Sequence, residues 1–531
     1  MKTLGIPKEI YLKTVLEQVP RLIGLLDRDP SSSTYGCFDR EYWHYKTTDF
    51  PCARKQEAVL TLALLHTLNH PSNPYYQKPF VLEWVKAGIT FWTKIQEKNG
   101  TFNEWYPHEN SFVATAFTSA AISETLLIIK EKNSFQTTTL AHLEKAAKWL
   151  SSQKEIRAQN QVTGAALALY NTFLLTKNQR YDAACWEKIG FLQQAQSEEG
   201  WFEEYGGADI GYLSLAVDYL TKLYTKSKKE ELLTVVENAC TFLQYFLHPN
   251  RTSGGIYGSR RTQYLIPSGF EILSDKSKAA KKIAFHNRSA ILNNTAVNPK
   301  NLDDRYWSYI GYTWLQAYTL TPIDDLVAEL PWKDAYKKEF PKAGLLVHSA
   351  REYLCIINTK TNTLAFYSKD GKKSLEDAGI LLKLKDETIL SASIAKLATH
   401  KKNSLTIKGN FSQIKKELLS PTKNVLLRSF QITAGKNERL GKKVKDVLRN
   451  KLITDKNESD YTFKRELDFK EDKLSITDSW HPTKNIKELL ITSNPPHIVV
   501  PSACYFDTTA INTQLETHKP KEARIKRVVT A

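Results

Sequence analysis

The sequence predicts a multidomain α and β chain. An N-terminal α/α toroid, read as an incomplete barrel of helical hairpins, occupies residues 1–335, and a C-terminal antiparallel β-sandwich occupies residues 336–531. Three observations predict it. A polar, aromatic loop followed by a small-residue apolar helix recurs roughly every 50 residues, the spacing of one helical hairpin per repeat. Near residues 331–341 that pattern gives way to short alternating runs. The length, 531 residues, also exceeds what one ordinary core supports.

The helical units follow in order. Residues 49–51 precede an apolar run at 53–66, and 102–110 precede 111–129. Residues 157–161 precede 162–175, 200–212 precede 213–224, and 301–306 precede 307–318. Equivalent points at Asp49, Asn103, Asn160 and Asp209 lie 54, 57 and 49 residues apart. Ala114, Ala116, Ala120 and Ala121, then Gly164, Ala165, Ala166 and Ala168, keep these inner helices slim enough to pack closely. Between them, residues 140–150 and 230–246 read as ordinary amphipathic helices. Loops rich in carboxylates and rings favour a toroid with a central cleft over the rival architecture, an open α-solenoid scaffold. Beyond residue 341, alternating runs at 344–349, 353–358, 363–367, 380–384, 404–408, 425–430, 474–478 and 488–492 predict short antiparallel strands. Residues 437–452 lean helical, and the polar tail 518–527 is expected to fray.

Net charge is +17, which suits an anionic partner as well as a solvated lysine-rich surface. The basic clusters at 276–282, 401–402 and 436–451 do not interleave with aromatics, so no nucleic-acid platform is expected. Six cysteines without a CxxC spacing read as reduced, buried thiols. The first 22 residues lack an apolar signal core, and no apolar run reaches the roughly 20 residues of a membrane span. A cytoplasmic protein is expected. Phosphate-loop, dinucleotide-binding, nucleophile-elbow and zinc-protease motifs are missing from the sequence, as is Cys/His metal spacing, so neither metal nor cofactor is expected.

The densest chemistry lies at 200–212, where Trp201, Glu204, Tyr205, Asp209 and Tyr212 crowd a glycine-rich turn that opens onto an apolar helix. Residues 104–110, with Trp105, Tyr106 and His108, form a second such loop. Residues 258–264 carry Arg260, Arg261 and Tyr264, a candidate clamp for carboxylate or sulfate. Trp43, Trp105, Trp201 and Trp307 fall at repeat loops, where indole faces can stack on pyranose rings; burial in the toroid is the competing role.

Order and placement of these segments resemble the heparinase II/III-like family of polysaccharide lyases over most of the chain. The matching pieces are Asn160-Gln161 at an inner helix, the acidic glycine-rich loop ending in Tyr212, the strand start at 340–347, and the loop 371–379 with Asp377 and Gly379. Gln161 stands where the family carries histidine, and Ser374 and Leu375 stand where its β-domain loop carries another. The resemblance implies β-elimination on an acidic, uronate-containing oligo- or polysaccharide, in a surface-glycan pathway for a chain without a leader. A zinc site of the family type is not implied.

Elimination requires the uronate carboxylate to be neutralised, a base for the C5 proton and an acid for the leaving oxygen. Asn160, Gln161, Arg260 and Arg261 are the candidate neutralisers. Tyr205, Tyr212 and His108 are the candidate acids and bases, with the tyrosines needing cations nearby to lower their pKa. Glu204, Asp209 and Asp304 are candidate substrate contacts, together with Trp43, Trp105, Tyr106, Trp201 and Tyr264. Two alternatives stand beside the lyase: a toroid glycoside hydrolase using two rim carboxylates, and a catalytically inactive glycan-binding or scaffold protein of the same fold.

Overall fold

The computed structural model describes residues 5–130, 134–414, 420–437, 440–441, 443–444, 457–493, 504, 516–518 and 523–531. Its helices are α1 (Glu9–Leu16), α2 (Val19–Ile23), α3 (Arg40–Trp43), α4 (Ala58–Thr67), α5 (Pro79–Lys94), α6 (Phe112–Ile129), α7 (Ser134–Ser152) and α8 (Gln159–Thr176). There follow α9 (Gln179–Ala195), α10 (Ile210–Ser227), α11 (Glu230–Leu243), α12 (Pro267–Ile272), α13 (Lys278–Asn293), α14 (Asp304–Ile310) and α15 (Tyr312–Leu320).

Six inner helices form a closed ring: α4 packs on α6, α6 on α8, α8 on α10, α10 on α12, α12 on α15, and α15 returns to α4. The outer partners are α5, α7, α9, α11 and α13, and α1 backs α15. The expected incomplete barrel is therefore closed. Its sixth hairpin joins the chain's first helix to its last inner one, and a pairing so distant in sequence leaves no periodic trace. The expected single helix at 307–318 is broken at Gly311 into α14 and α15.

Side-chain caps start several of these helices. Ser111 accepts from the Ala114 N–H at α6, Asp209 from Tyr212 at α10, and Asp303 from Tyr306 at α14. Because each outer helix reverses the chain, the inner helices run parallel and their N-termini meet at one end of the ring. Helix N-termini carry partial positive charge, so this end is predisposed to anions. Helix α6 is long and apolar enough to cross a membrane, but 67% of that stretch is buried inside the toroid.

The second part contains β3 to β15; β1 (Ile6–Pro7) and β2 (Asp325–Leu326) pair separately within the helical part. A five-stranded sheet runs β3 (Tyr336–Phe340), β4 (Leu345–Ser349), β5 (Tyr353–Asn358), β6 (Thr363–Ser368), β7 (Ser374–Asp377). The strands β8 (Ile380–Leu384), β9 (Ile389–Lys401), β10 (Ser404–Gln413), β11 (Glu458–Phe469), β12 (Lys473–His481), β13 (Ile486–Ile491), β14 (Glu516–His518) and β15 (Arg524–Thr530) form an eight-stranded sheet. Its order is β14-β13-β8-β9-β10-β11-β12-β15, and every pairing is antiparallel. Alternate residues of the five-stranded sheet serve two cores. Val347, Leu354, Ile356 and Tyr367 join the toroid core, while Leu346, Cys355, Ile357 and Phe366 join Ile407, Leu467 and Ile476 of the larger sheet. The layers thus run toroid, small sheet, large sheet.

Two local expectations fail here. Residues 425–430 belong to a helix, α16 (Pro421–Ile432), because Ser420 caps it and Pro421 starts it. Of the tail expected to fray, residues 519–522 lie outside the described residues, while 524–527 begin β15, which pairs with β12 from Arg524 to Thr530. Most of 437–452 lies outside the described residues. Among the described residues none of the six cysteines forms a disulfide, and five of them are buried.

Candidate functional site

The loops before the inner helices converge at the N-terminal end of the ring. Asp209 organises the centre. Besides capping α10, its carboxylate accepts from the backbone N–H of Arg260 at 2.9 Å and from the Thr262 hydroxyl. Thr262 Oγ1 in turn accepts from the Gly211 N–H at 2.8 Å. A Cβ on Gly211 would overlap that hydroxyl, so glycine is required for the two loops to meet. Ser259 adds a bond from its hydroxyl to the Glu204 carbonyl at 2.6 Å. Asp209 is fully buried, which makes it a clasp between loops rather than the sugar contact expected.

Asn160 and Glu204 form the next layer. Glu204 Oε1 accepts from the Asn160 backbone N–H at 2.8 Å and from Asn160 Nδ2 at 2.6 Å. Glu204 is 1% exposed, and its Oε2 lies buried without a hydrogen-bond partner among the described residues. Burial pushes its pKa well above the usual carboxylate range, against the pull of the two Asn160 donors. Asn160 is therefore spent on an internal carboxylate and does not reach outward as expected.

Outside this layer lie Gln161, Tyr205 and Arg260. Gln161 Nε2 points at the Tyr205 hydroxyl oxygen at 3.5 Å, and the Arg260 guanidinium lies 4.9 Å from the Tyr205 ring centroid. Tyr205 is half-buried and adopts a left-handed backbone (φ 53°), held by its N–H to the Arg157 carbonyl at 2.7 Å.

Beside it runs a line of tyrosines: Tyr212 lies 6.3 Å from Tyr264, Tyr264 lies 6.0 Å from Tyr306, and Tyr306 lies 5.8 Å from Tyr309. For Tyr212 the expectation that cations lower the phenol is overturned. Burial wins, raising Tyr212 well above the ordinary value although Arg260 pulls down, and Tyr306 to about 12 although Arg54 pulls down. Tyr212 and Tyr306 remain half-buried and stay protonated at neutral pH, as donors.

The far wall was not legible in the sequence. Arg54 sits 3.9 Å from the Tyr309 ring centroid and pairs with Glu57 at 2.7 Å. Arg305 donates to Tyr309 Oη at 2.7 Å and to Glu104 Oε1 at 3.2 Å, and its guanidinium covers one face of Trp105 at 3.7 Å. Trp105 is 61% exposed, the most open aromatic of the rim, and its neighbour Tyr106 is half-buried. Arginines three loops away carry no local signal. Only the repeated placement of charge ahead of each inner helix could have pointed to them.

Other expected residues fall elsewhere. His108 turns outward to Glu97 at 3.2 Å, at the end of α5, and joins none of the tyrosines. Trp43 is fastened by its indole N–H to the Leu25 carbonyl at 2.8 Å. Trp201 is 9% exposed and donates to Glu199, whose carboxylate also holds the backbone N–H groups of Lys342 and Ala343. It packs at the junction with the sandwich and offers no open face. Arg261 is buried close to Glu376 of β7 and to Cys504, and burial lowers its pKa to about 10. It, too, serves the junction. Asp304 pairs with Arg21 at 3.3 Å on the outer surface. Asp377, matched above to a family loop, is locked between Arg465 and Arg527 inside the sandwich. Among the described residues no group of three or more His, Cys, Asp or Glu is placed to hold a metal.

The architecture, an α/α toroid followed by stacked antiparallel sheets, has counterparts among solved structures. The structure is similar to that of Streptomyces coelicolor A3 chondroitin AC lyase in complex with chondroitin sulphate, with a TM-score of 0.52, 10% identity, and coverage of 92% of this chain and 68% of the lyase. A tyrosine mutant of that lyase matches with a TM-score of 0.50 at 8% identity, with the same coverages. Heparinase III matches at 0.44 and 9% identity, over 90% of this chain and 79% of its own. At such identities the likeness to chondroitin AC lyase establishes the fold alone. No protein-family model matches the sequence, and no curated protein matches it.

Proposed function

We propose that this protein cleaves an acidic, uronate-containing glycan by β-elimination at the N-terminal end of the toroid. The observation that carries the reading is the pairing of two unlike tyrosines on one junction. Tyr205 has a guanidinium over its ring and an amide N–H aimed at its oxygen, placed to meet negative charge on that oxygen during proton transfer. Tyr212 is held protonated by burial and by its tyrosine neighbours. Both sit in the one loop, 200–212, that closes over the start of α10.

In this reading Arg260 and Gln161 bind the uronate carboxylate and stabilise negative charge as it develops at C5. Tyr205 takes the C5 proton. The electron pair left on C5 forms the C4–C5 double bond and expels O4, which takes its proton from Tyr212. Trp105, backed by Arg305, offers its open face to a neighbouring sugar ring. Six helix N-termini add a field that favours an anionic substrate.

The hydrolase alternative needs two opposed, accessible carboxylates. Glu104, Glu109, Glu204 and Asp209 are all buried and bonded within the rim, while Asp303 and Asp304 are engaged at the start of α14. The test is digestion of a panel of uronate polymers, with Tyr205→Phe and Tyr212→Phe each expected to lower kcat by roughly 10²–10⁴-fold, the usual worth of a general acid or base. Both variants cleaving at the parent rate would end this assignment.

A further inference from the structure

We infer a second glycan-binding surface on the outer face of the eight-stranded sheet, remote in the layer order from the toroid cleft and independent of the elimination chemistry. Its occupant is a stretch of anionic polysaccharide. The first observation is where the charge lies. Residues 336–531 contain 37 Lys and Arg against 22 Asp and Glu, whereas residues 1–335 contain 37 against 35. Nearly all of the +17 excess therefore belongs to the β part.

The second observation is the register. Lys408 stands directly opposite Lys464, Lys464 opposite Ser479, and Ser479 opposite Arg524, one transverse row across four strands. The flanking residues Ile407, Gly409, Phe463, Arg465, Asp478 and Trp480 are buried, so alternation turns Lys408, Lys464 and Ser479 outward. Like charges directly opposite on neighbouring strands repel and destabilise the sheet. The pair gains a purpose if an external anion lies across it.

The third observation is shape. Lys396, at an irregularity in the β9–β10 register, joins Lys408, Lys464, Asn410, Ser479 and His481 around a shallow open groove. Glu466 holds Lys464 at 2.7 Å and Glu458 pairs with Lys396, and these acids only partly offset the row. Amide and hydroxyl groups between the cations match a chain that alternates acidic groups with hydroxyls. Among the described residues the aromatics at this groove, Phe463 and Trp480, are buried and offer no stacking face, which favours polysaccharide over single-stranded nucleic acid, whose bases need stacking partners.

The experiment uses the full chain carrying Tyr212→Phe to suppress turnover, and fluorescein-labelled heparin as probe. Anisotropy is measured from low to physiological salt. The combined Lys408→Glu, Lys464→Glu, Arg524→Glu variant is expected to bind at least tenfold more weakly with a flatter salt dependence and an unchanged melting temperature. Reversal of the exposed toroid lysines Lys98, Lys228 and Lys278 should change little. If the charge reversals prevent folding, the neutral Lys408→Gln, Lys464→Gln, Arg524→Gln variant reports the same loss. Parent-like heparin binding in the folded variant overturns the inference. So does equally tight binding of single-stranded DNA lost by the same substitutions, or loss of self-association in light scattering without loss of heparin.

Discussion

Tyr205 and Tyr212 stand seven residues apart, yet the fold gives them opposite surroundings. Tyr205 meets a cation and an amide donor, while Tyr212 meets other tyrosines and a buried clasp. Loop 200–212 announced itself because acids and rings crowd a helix start, where packing alone would not call for them. The environment of each ring came from Arg54, Arg260, Tyr264 and Tyr306, which arrive from other loops and share no spacing with it. Buried Asn160 and Glu204 illustrate the same point: the pair is visible as two polar residues, but only the fold turns one toward the other. At this scale Arg260→Met should weaken substrate binding and lower kcat/KM together by at least tenfold, because it removes a charge-assisted contact worth about 1.5–3 kcal/mol. Steady-state kinetics on an oligosaccharide series would check it.

At the scale of elements, the helix–loop repeat and the alternating strands were readable because hydrophobic periodicity is local. Ring closure was not, since α1 and α15 are joined only in space. Helix α16 was misread because its residues 425–430 alternate like a strand, and the signal that overrides them is the Ser420-Pro421 start just before. The clasp built on Asp209 unites α10 with the 258–264 loop. Asp209→Ala removes a cap and strands several buried donors, so it should cost about 2–4 kcal/mol. Denaturant unfolding would show it, and activity should fall more than with Asp209→Asn, which keeps one acceptor. Gly211→Ala, forced against Thr262, should likewise destabilise the folded chain in the same assay.

Across the whole molecule, the toroid meets the sandwich through buried polar groups that include two histidines. His248 lies between Tyr257, 2.7 Å from its Nε2, and the stacked ring of Tyr367 on β6, while His286 Nε2 bonds the Thr252 carbonyl at 3.1 Å. Burial lowers both, His286 to about 4. An unfolded histidine takes its proton near pH 6.5 and the folded one does not, so stability is full above that pH and is lost as pH falls toward 4. His286 alone accounts for about 3 kcal/mol of that loss. Thermal melts from pH 7.5 to 4 should show the decline, and His286→Gln should flatten it. The central claim concerns bond breaking at the N-terminal end of the toroid. β-Elimination leaves a conjugated double bond that absorbs in the ultraviolet, and hydrolysis leaves none. The decisive measurement is ultraviolet absorbance alongside new reducing ends during digestion of uronate polymers. Both signals should rise together, in equal molar amounts, and both should vanish in Tyr212→Phe. Reducing ends without absorbance, or binding of every polymer with neither signal, would contradict it.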